Sequence, residues 1–277
     1  MTGSCTDADR ERFLAVCREV TAAPQGEYSG GEEGIGVLRE KRMHAAIKRF
    51  VCADSSYHEQ RPVTLSDAAS DGDEKKRKKA KKYVADVLCG DEIYEIQTGS
   101  FWPLKEKLGW YAANTDCHVT VVHPIAIKRR TIWIDPASGE AVPSPRLARA
   151  GRVADVLPET VYISELVASG RVSLLVLLIE AEEYRWRNGW GRDGKRGSER
   201  FEMLPTALAD TVSLELPEDF RELLPAELND TGFTAAGFAK AMKLRSRRSY
   251  LALRALENLG VVRVAGKKDR ARVYEII

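Results

Sequence analysis

Residues 83–98 read YVADVLCGDEIYEIQT. Two short runs rich in Val, Ile and Tyr flank Gly90-Asp91, the composition of two strands joined by a tight turn. Side chains alternate faces along a strand, so Glu95 and Gln97 share one face and Ile96 takes the other. In a tight hairpin Asp86 falls beside Glu95 on the neighbouring strand. Ala85, Val87, Ile93 and Ile96 make the surroundings apolar, where an isolated charge is costly. Two carboxylates held that close repel unless a proton or a cation lies between them. Mg2+ takes oxygen ligands, typically one or two carboxylates plus water and substrate phosphate. Asp86 and Glu95 are therefore candidate ligands for Mg2+ or Mn2+, with Gln97 near the water that such a site activates.

The rest of the chain bounds this reading. Its 277 residues suffice for one large domain or two small ones. A 44% hydrophobic and 30% charged composition fits a globular protein with a real core. The formal net charge is only +2, so attraction to nucleic acid must come from local clusters. Cys5, Cys17, Cys52, Cys89 and Cys117 are odd in number and form no C-x-x-C pair. This argues against a disulfide framework or a zinc cluster and predicts a cytoplasmic protein. The start lacks the basic and apolar regions of a signal peptide, and the longest apolar run, residues 172–179, is too short to span a bilayer. No membrane partner is expected.

Along the chain, residues 7–22 read as a helix and the Gly-rich segment after them as a link. A second helix is expected from Gly36, with Met43, Ala46, Ile47 and Phe50 as its buried stripe. Glu40, His44 and Lys48 follow another side of it, with Lys41 adjacent. They are either further lining of the acid site, with Lys41 or Lys48 supplying a positive charge, or an ordinary charged helix face. His44 has no second histidine at ligand spacing. His58, His118 and His123 read as strand-edge or packed residues. A strand at YHEQRPVTLS and the charged segment SDAASDGDEKKRKKAKK precede the hairpin. A helix on Leu104, Leu108 and Tyr111 follows it. HVTVVHPIAI and RRTIWIDPASGE then read as two strands. The order helix, three strands, helix, two strands predicts an α/β domain around a central sheet.

Asp86 followed by Glu95-Ile96-Gln97 resembles the PD-(D/E)XK nuclease superfamily, of restriction-endonuclease-like fold, over about residues 36–140. In that family the acids hold a metal ion. The third position is usually lysine, which orients the attacking water and stabilises charge. Gln97 departs from this, since it hydrogen-bonds but carries no charge. A few active members carry glutamine there. The family's first helix often supplies a glutamate, and Glu40 matches it by place. The whole chain also resembles a family of bacterial proteins of unassigned function, through GIGVLREKRMHAAIKR, ADVLCGDEIYEIQT, TVVHPI and GWGRDGKRGSER.

Two further segments are basic. GWGRDGKRGSERF, after the strand VSLLVLLIEAEEYRW, offers glycines and Arg192, Lys195 and Arg196 to a phosphate or to the other domain, without Walker spacing. From about residue 203, short helices, a longer helix ending at Gly260 and a final hairpin follow the winged-helix order. Arg247, Arg248 and Arg254 load that helix, and Lys267 and Lys268 load the hairpin. DNA or a protein surface are the two partners this layout serves. The expected organisation is an N-terminal helix and link (1–33), a nuclease-like mixed sheet flanked by helices (34–202) and a winged helix (203–277). The expected function is metal-dependent cleavage of DNA phosphodiester bonds. The alternative is a non-catalytic DNA-binding regulator or interaction protein that retains the scaffold. A homodimer or another protein partner stays open.

Overall fold

The computed structural model describes residues 5–22, 42–53, 56–59, 62–63, 83–189, 198–228 and 232–277. Its centre is a mixed sheet of β1 (Tyr57–Glu59), β4 (Val87–Cys89), β5 (Glu92–Ile96), β6 (His118–Ile134), β8 (Val172–Trp186) and β9 (Arg200–Leu214), in that spatial order. Strand β7 (Ala141–Leu147) joins β6 from the side, and β2 (Pro62–Val63) pairs β3 (Tyr83–Val84) as a separate ribbon. The pairs β1–β4, β4–β5, β6–β7 and β8–β9 are antiparallel, whereas β5–β6 and β6–β8 are parallel.

A parallel strand covered on both faces reads as an unbroken apolar run, which is what VSLLVLLI is. Val172, Leu174 and Val176 pack into one core, while Leu177 and Ile179 pack into the other. Helices α1 (Asp7–Ala22) and α2 (Arg42–Val51) cover the second face. There Phe13 meets Phe50 edge to face, ring centroids 5.2 Å apart. On the first face lie α3 (Leu104–Asn114), a 3-10 turn at Val153–Val156, and the short helices α4 (Leu157–Thr160) and α5 (Ser164–Ala168). The helix expected on Leu104, Leu108 and Tyr111 is α3, and all three side chains are buried.

The segments HVTVVHPIAI and RRTIWI are not two strands but one continuous β6. The charged stretch between them marks no turn, because β8 supplies counter-charges alongside. Lys128 Nζ lies 2.8 Å from Glu180, and Arg129 Nε lies 3.5 Å from the buried Glu183. A bulge between Ala126 and Lys128 absorbs the change of face.

The boundary expected at 202/203 falls inside β9, which runs to Leu214 within the large sheet. Beyond it come α6 (Pro217–Arg221), a 3-10 turn at Ala226–Leu228, β10 (Phe233–Thr234), α7 (Ala235–Ala241), α8 (Ser246–Asn258), β11 (Val262–Lys268) and β12 (Ala271–Ile276). The three strands form an antiparallel sheet in the order β10-β12-β11. Gly260, with φ +73°, ends α8 in the left-handed region, and Val261 N–H closes the turn on Leu256 O at 2.9 Å. Phe220, Phe238, Leu253 and Leu256 of this unit share one buried cluster with Leu174 and Val212 of the large sheet. Arg152 donates to Met242 O at 2.8 Å, Arg248 to Asp155 O at 3.0 Å, and Asn258 to Ser164 Oγ at 2.9 Å. The C-terminal unit is thus seated on the large domain by apolar packing rimmed with side-chain bonds. No helix among the described residues is long and apolar enough to cross a membrane.

Candidate active site

The β4–β5 hairpin turns at Gly90-Asp91, where Gly90 has φ +58°, a conformation that glycine adopts without steric cost. Its register pairs Val87 with Tyr94 and Leu88 with Ile93, which brings Asp86 to the Glu95–Ile96 end of β5. Asp86 occupies a bend just before β4. Its Oδ2 accepts the Ile96 backbone N–H at 2.9 Å and lies 3.3 Å from His44 Nε2 of α2. Glu95 points to the α3 side and is 1% exposed. Lys107 Nζ donates to its Oε2 at 2.6 Å and Tyr111 Oη to its Oε1 at 3.1 Å. Lys107 and Tyr111 are one turn apart on α3 and so share a helix face.

These contacts set the charge states. Burial, and then the Asp86 charge, push the Glu95 carboxyl up to about 7, against the pull of Lys107 and Tyr111. Burial also pushes Asp86 up, but His44, Lys107 and the Ile96 N–H together outweigh it and hold Asp86 below its ordinary value. Two neighbouring carboxyls thus titrate apart, the arrangement that separates an acid–base group from a permanently charged one.

Gln97 does not face the acids with its amide. Its Nε2 donates to Ser100 O, and its backbone O is bonded to His123 Nδ1. It braces the turn that leads from β5 into α3. The positive charge beside Glu95 comes from Lys107. Lys48, one of the two lysines expected to supply it, is buried and pairs with Glu59 at 3.5 Å. Lys41 and Glu40 lie outside the described residues. Lys107 had a legible signal: Leu104, Lys107, Leu108 and Tyr111 follow the i, i+3, i+4, i+7 pattern, so a lysine sits in a buried stripe. His123, expected as a strand-edge or packed residue, is packed against Phe101 and also bonded to the Gln97 backbone.

Among the described residues no group of three or more His, Cys, Asp or Glu side chains is placed to hold a metal ion. Of the candidate nucleic-acid contacts, Arg247 and Arg254 on α8 and Lys267 and Lys268 on β11 are exposed. Arg248 instead binds Asp155 O on the large domain. Arg192, Lys195, Arg196 and the lysine-rich run at 75–82 lie outside the described residues.

A sequence model of the family described as a domain of unknown function, DUF8091, matches residues 41–215. The chain belongs to this family. The DUF8091 segment contains Asp86, Glu95, Gln97 and Lys107 and ends one residue past β9, so the acid hairpin and the whole central sheet from β1 onward lie within it. The unit carrying Arg247, Arg254, Lys267 and Lys268 lies beyond it. No curated protein and no solved structure matches the chain.

Proposed function

We propose that the DUF8091 segment hydrolyses phosphodiester bonds in nucleic acid, with Asp86, Glu95 and Lys107 as its working groups. The observation that carries this reading is the lysine, 2.6 Å from Glu95, one of the two acids that the β4–β5 hairpin brings together. The topology supports it: a helix, three antiparallel strands, a helix, then a strand parallel to the third. This is the order expected of a restriction-endonuclease-like domain. The β10–α7–α8–β11–β12 unit likewise supports the winged-helix reading, with Lys267 and Lys268 on its hairpin.

The donor set fits a hard cation. It offers two carboxylates and no thiolate, the oxygen donors that Mg2+ takes. Asp86 and Glu95 would hold Mg2+ or Mn2+, and the ion, when bound, supplies Lewis-acid activation of water and neutralises phosphate charge. The chain's own groups do the rest. His44 and the Ile96 N–H fix the Asp86 carboxylate in place. Lys107 sets positive charge where negative charge develops on the phosphate, a role worth most in a site sheltered from water.

One observation favours the second reading, a scaffold that binds without cutting. Glu95 is 1% exposed, and both its oxygens already accept bonds from Lys107 and Tyr111. Incubation of supercoiled plasmid and single-stranded DNA with Mg2+ or Mn2+ separates the two. Cleavage by the wild type that is lost in Asp86→Ala and Lys107→Ala supports hydrolysis. Binding without cleavage under both ions leaves the scaffold reading.

A further inference from the structure

The loop that joins β5 to α3, residues 98–103, reads TGSFWP and carries an indole that the acid pair does not use. Phe101 is fully buried, its ring centroid 5.1 Å from that of His123, edge to face. Trp102, the next residue, is 66% exposed, more than any other large apolar side chain among the described residues. Tryptophan is heavily buried on average, so an indole left in water beside a candidate site calls for a reason.

Gly99 of the same loop borders a cleft of about 420 Å3, walled also by His123, Arg129, Arg149, Glu159 and Arg248. It opens where β6 runs on past the last pair with β5, Ile96–Val122. Gly151 forms part of its wall. Its N–H donates to Ala126 O at 2.9 Å, and a Cβ there would come within 2.6 Å of Ile125 Cγ2 and 3.0 Å of Ala126 O. Only glycine allows this close approach of chain to strand edge.

The charges favour an anion. Arg149 is exposed and has no hydrogen-bond or ion-pair partner among the described residues. Arg129 Nε is buried without a hydrogen bond and is ion-paired with Glu183 at 3.5 Å, while the side chain stays one-third exposed. Arg248 keeps one of its nitrogens on Asp155 O. The acidic groups on the wall are engaged: Asp155 by Arg152 at 3.0 Å, and Glu159 by the Phe101 N–H at 3.4 Å. Guanidinium forks match phosphate geometry. His123 on its wall is bonded to the backbone of Gln97, two residues along the chain from Glu95.

We propose that this face takes single-stranded nucleic acid: Trp102 stacks on an unpaired base, and Arg129, Arg149 and Arg248 hold the sugar–phosphate backbone that leads to Asp86 and Glu95. The inference rests on the phosphodiester reading above and adds the substrate class. An exposed aromatic on the loop that borders a basic groove suits strands whose bases are open to stacking. In a duplex those faces are already stacked on one another. The cleft has the size of a small-ligand pocket.

The test is fluorescence anisotropy of the full chain in EDTA, with labelled oligo-dT, oligo-U and a duplex of equal length, at several salt concentrations. Trp102→Ala is expected to weaken binding to the single strands about tenfold, at the low end of one lost base stack. Duplex binding and the salt slope should stay as in the wild type, and Trp102→Phe should retain most of the affinity. Arg149→Ala should flatten the salt slope for single strands. Preference for oligo-dT or oligo-U identifies the natural strand, and equal binding means that stacking ignores the sugar. Wild-type affinity in Trp102→Ala, an equal loss on duplex, an unchanged slope in Arg149→Ala or no binding to either strand overturns the proposal. Because EDTA removes cleavage from the measurement, plasmid nicking without strand binding sinks this inference alone. Strand binding without metal-dependent cleavage sinks the hydrolase reading alone.

Discussion

Lys107 reaches from α3 to Glu95 in the middle of the sheet, closing a 2.6 Å ion pair with a side chain that is almost fully enclosed. Breaking one partner of such a buried pair leaves an uncompensated charge, which is strongly unfavourable. Lys107→Met therefore acts on both chemistry and charge state. If the proposed hydrolysis takes place, its rate should fall by about 100-fold or more, the scale of losing one preorganised electrostatic contact. Gln97→Lys in the same chain should recover none of the loss, since the side chain at 97 is turned to Ser100 O rather than to the acids. Initial rates of plasmid nicking in the two variants check this. A Lys107→Met protein that nicks at the wild-type rate would remove the lysine from the mechanism.

The acid pair also predicts how stability depends on pH in the absence of metal. Glu95 is raised by burial and by Asp86 to about 7, from an ordinary 4.5. Between those values the folded protein binds the proton that the unfolded chain has released, so stability falls as pH rises through that window. The contribution is up to about 3 kcal/mol at one pKa unit per 1.36 kcal/mol. Asp86 has the opposite sign. Its folded value is depressed, so its stabilisation is present above its ordinary 3.8 and is lost as pH falls through the lower folded value. Thermal melts in EDTA should therefore show a higher midpoint near about pH 5 than near about pH 8, with the difference much reduced in Glu95→Gln.

A third expectation concerns the seating of the C-terminal unit. Leu253 of α8 is 1% exposed, in the same buried cluster as Leu174 and Val212 of the large sheet. A core that runs through both parts couples their unfolding. Leu253→Ala should cost about 2–5 kcal/mol. It should lower one common transition, followed alike by near-UV and far-UV circular dichroism. Two separated transitions, with only the second moved, would mean that the units unfold independently.

The hairpin is legible in the sequence because a Gly-Asp turn, period-two alternation and two acids all coincide within residues 83–98. Helix α3 is legible from Leu104, Leu108 and Tyr111 for the same kind of reason, a period matched by chemistry. The continuous β6 is not, because Lys128, Arg129 and Arg130 look like a break unless one knows that Glu180 and Glu183 lie alongside on β8. Such counter-charges are far away in sequence and come together only through the parallel pairing. The carboxylate partner of Lys107 is hidden for a related reason, although its place in a buried stripe is legible. A motif reserves position 97 for lysine, whereas an ammonium can reach a carboxylate from any element that packs over it. The seating of α8 is a tertiary fact: its basic face and its apolar face are both plain in sequence, but Arg248 lies between them and turns to Asp155.

That turn of Arg248 leads to the last prediction. Arg247, Tyr250 and Arg254 recur at i, i+3 and i+7 on α8, and all are exposed, Tyr250 by 61%. With Lys267 and Lys268 on the hairpin they form the exposed basic surface of the C-terminal unit. If that surface contacts nucleic acid, its lysines act on phosphates, which carry no sequence information. Lys267→Ala with Lys268→Ala should then weaken binding to every duplex alike. It should also reduce the slope of log affinity against log salt by about 2, close to 0.9 for each phosphate released. Arg248→Ala should weaken binding without altering base preference, since its guanidinium serves the large domain and the cleft rather than the outer face of α8. Arg247 and Arg254 are the positions from which a change of preference is expected, because they project where base edges become accessible. Anisotropy of the full chain on duplexes of differing sequence, across a salt series, reads all three effects. A salt slope unmoved by loss of both lysines would assign this surface to a protein partner.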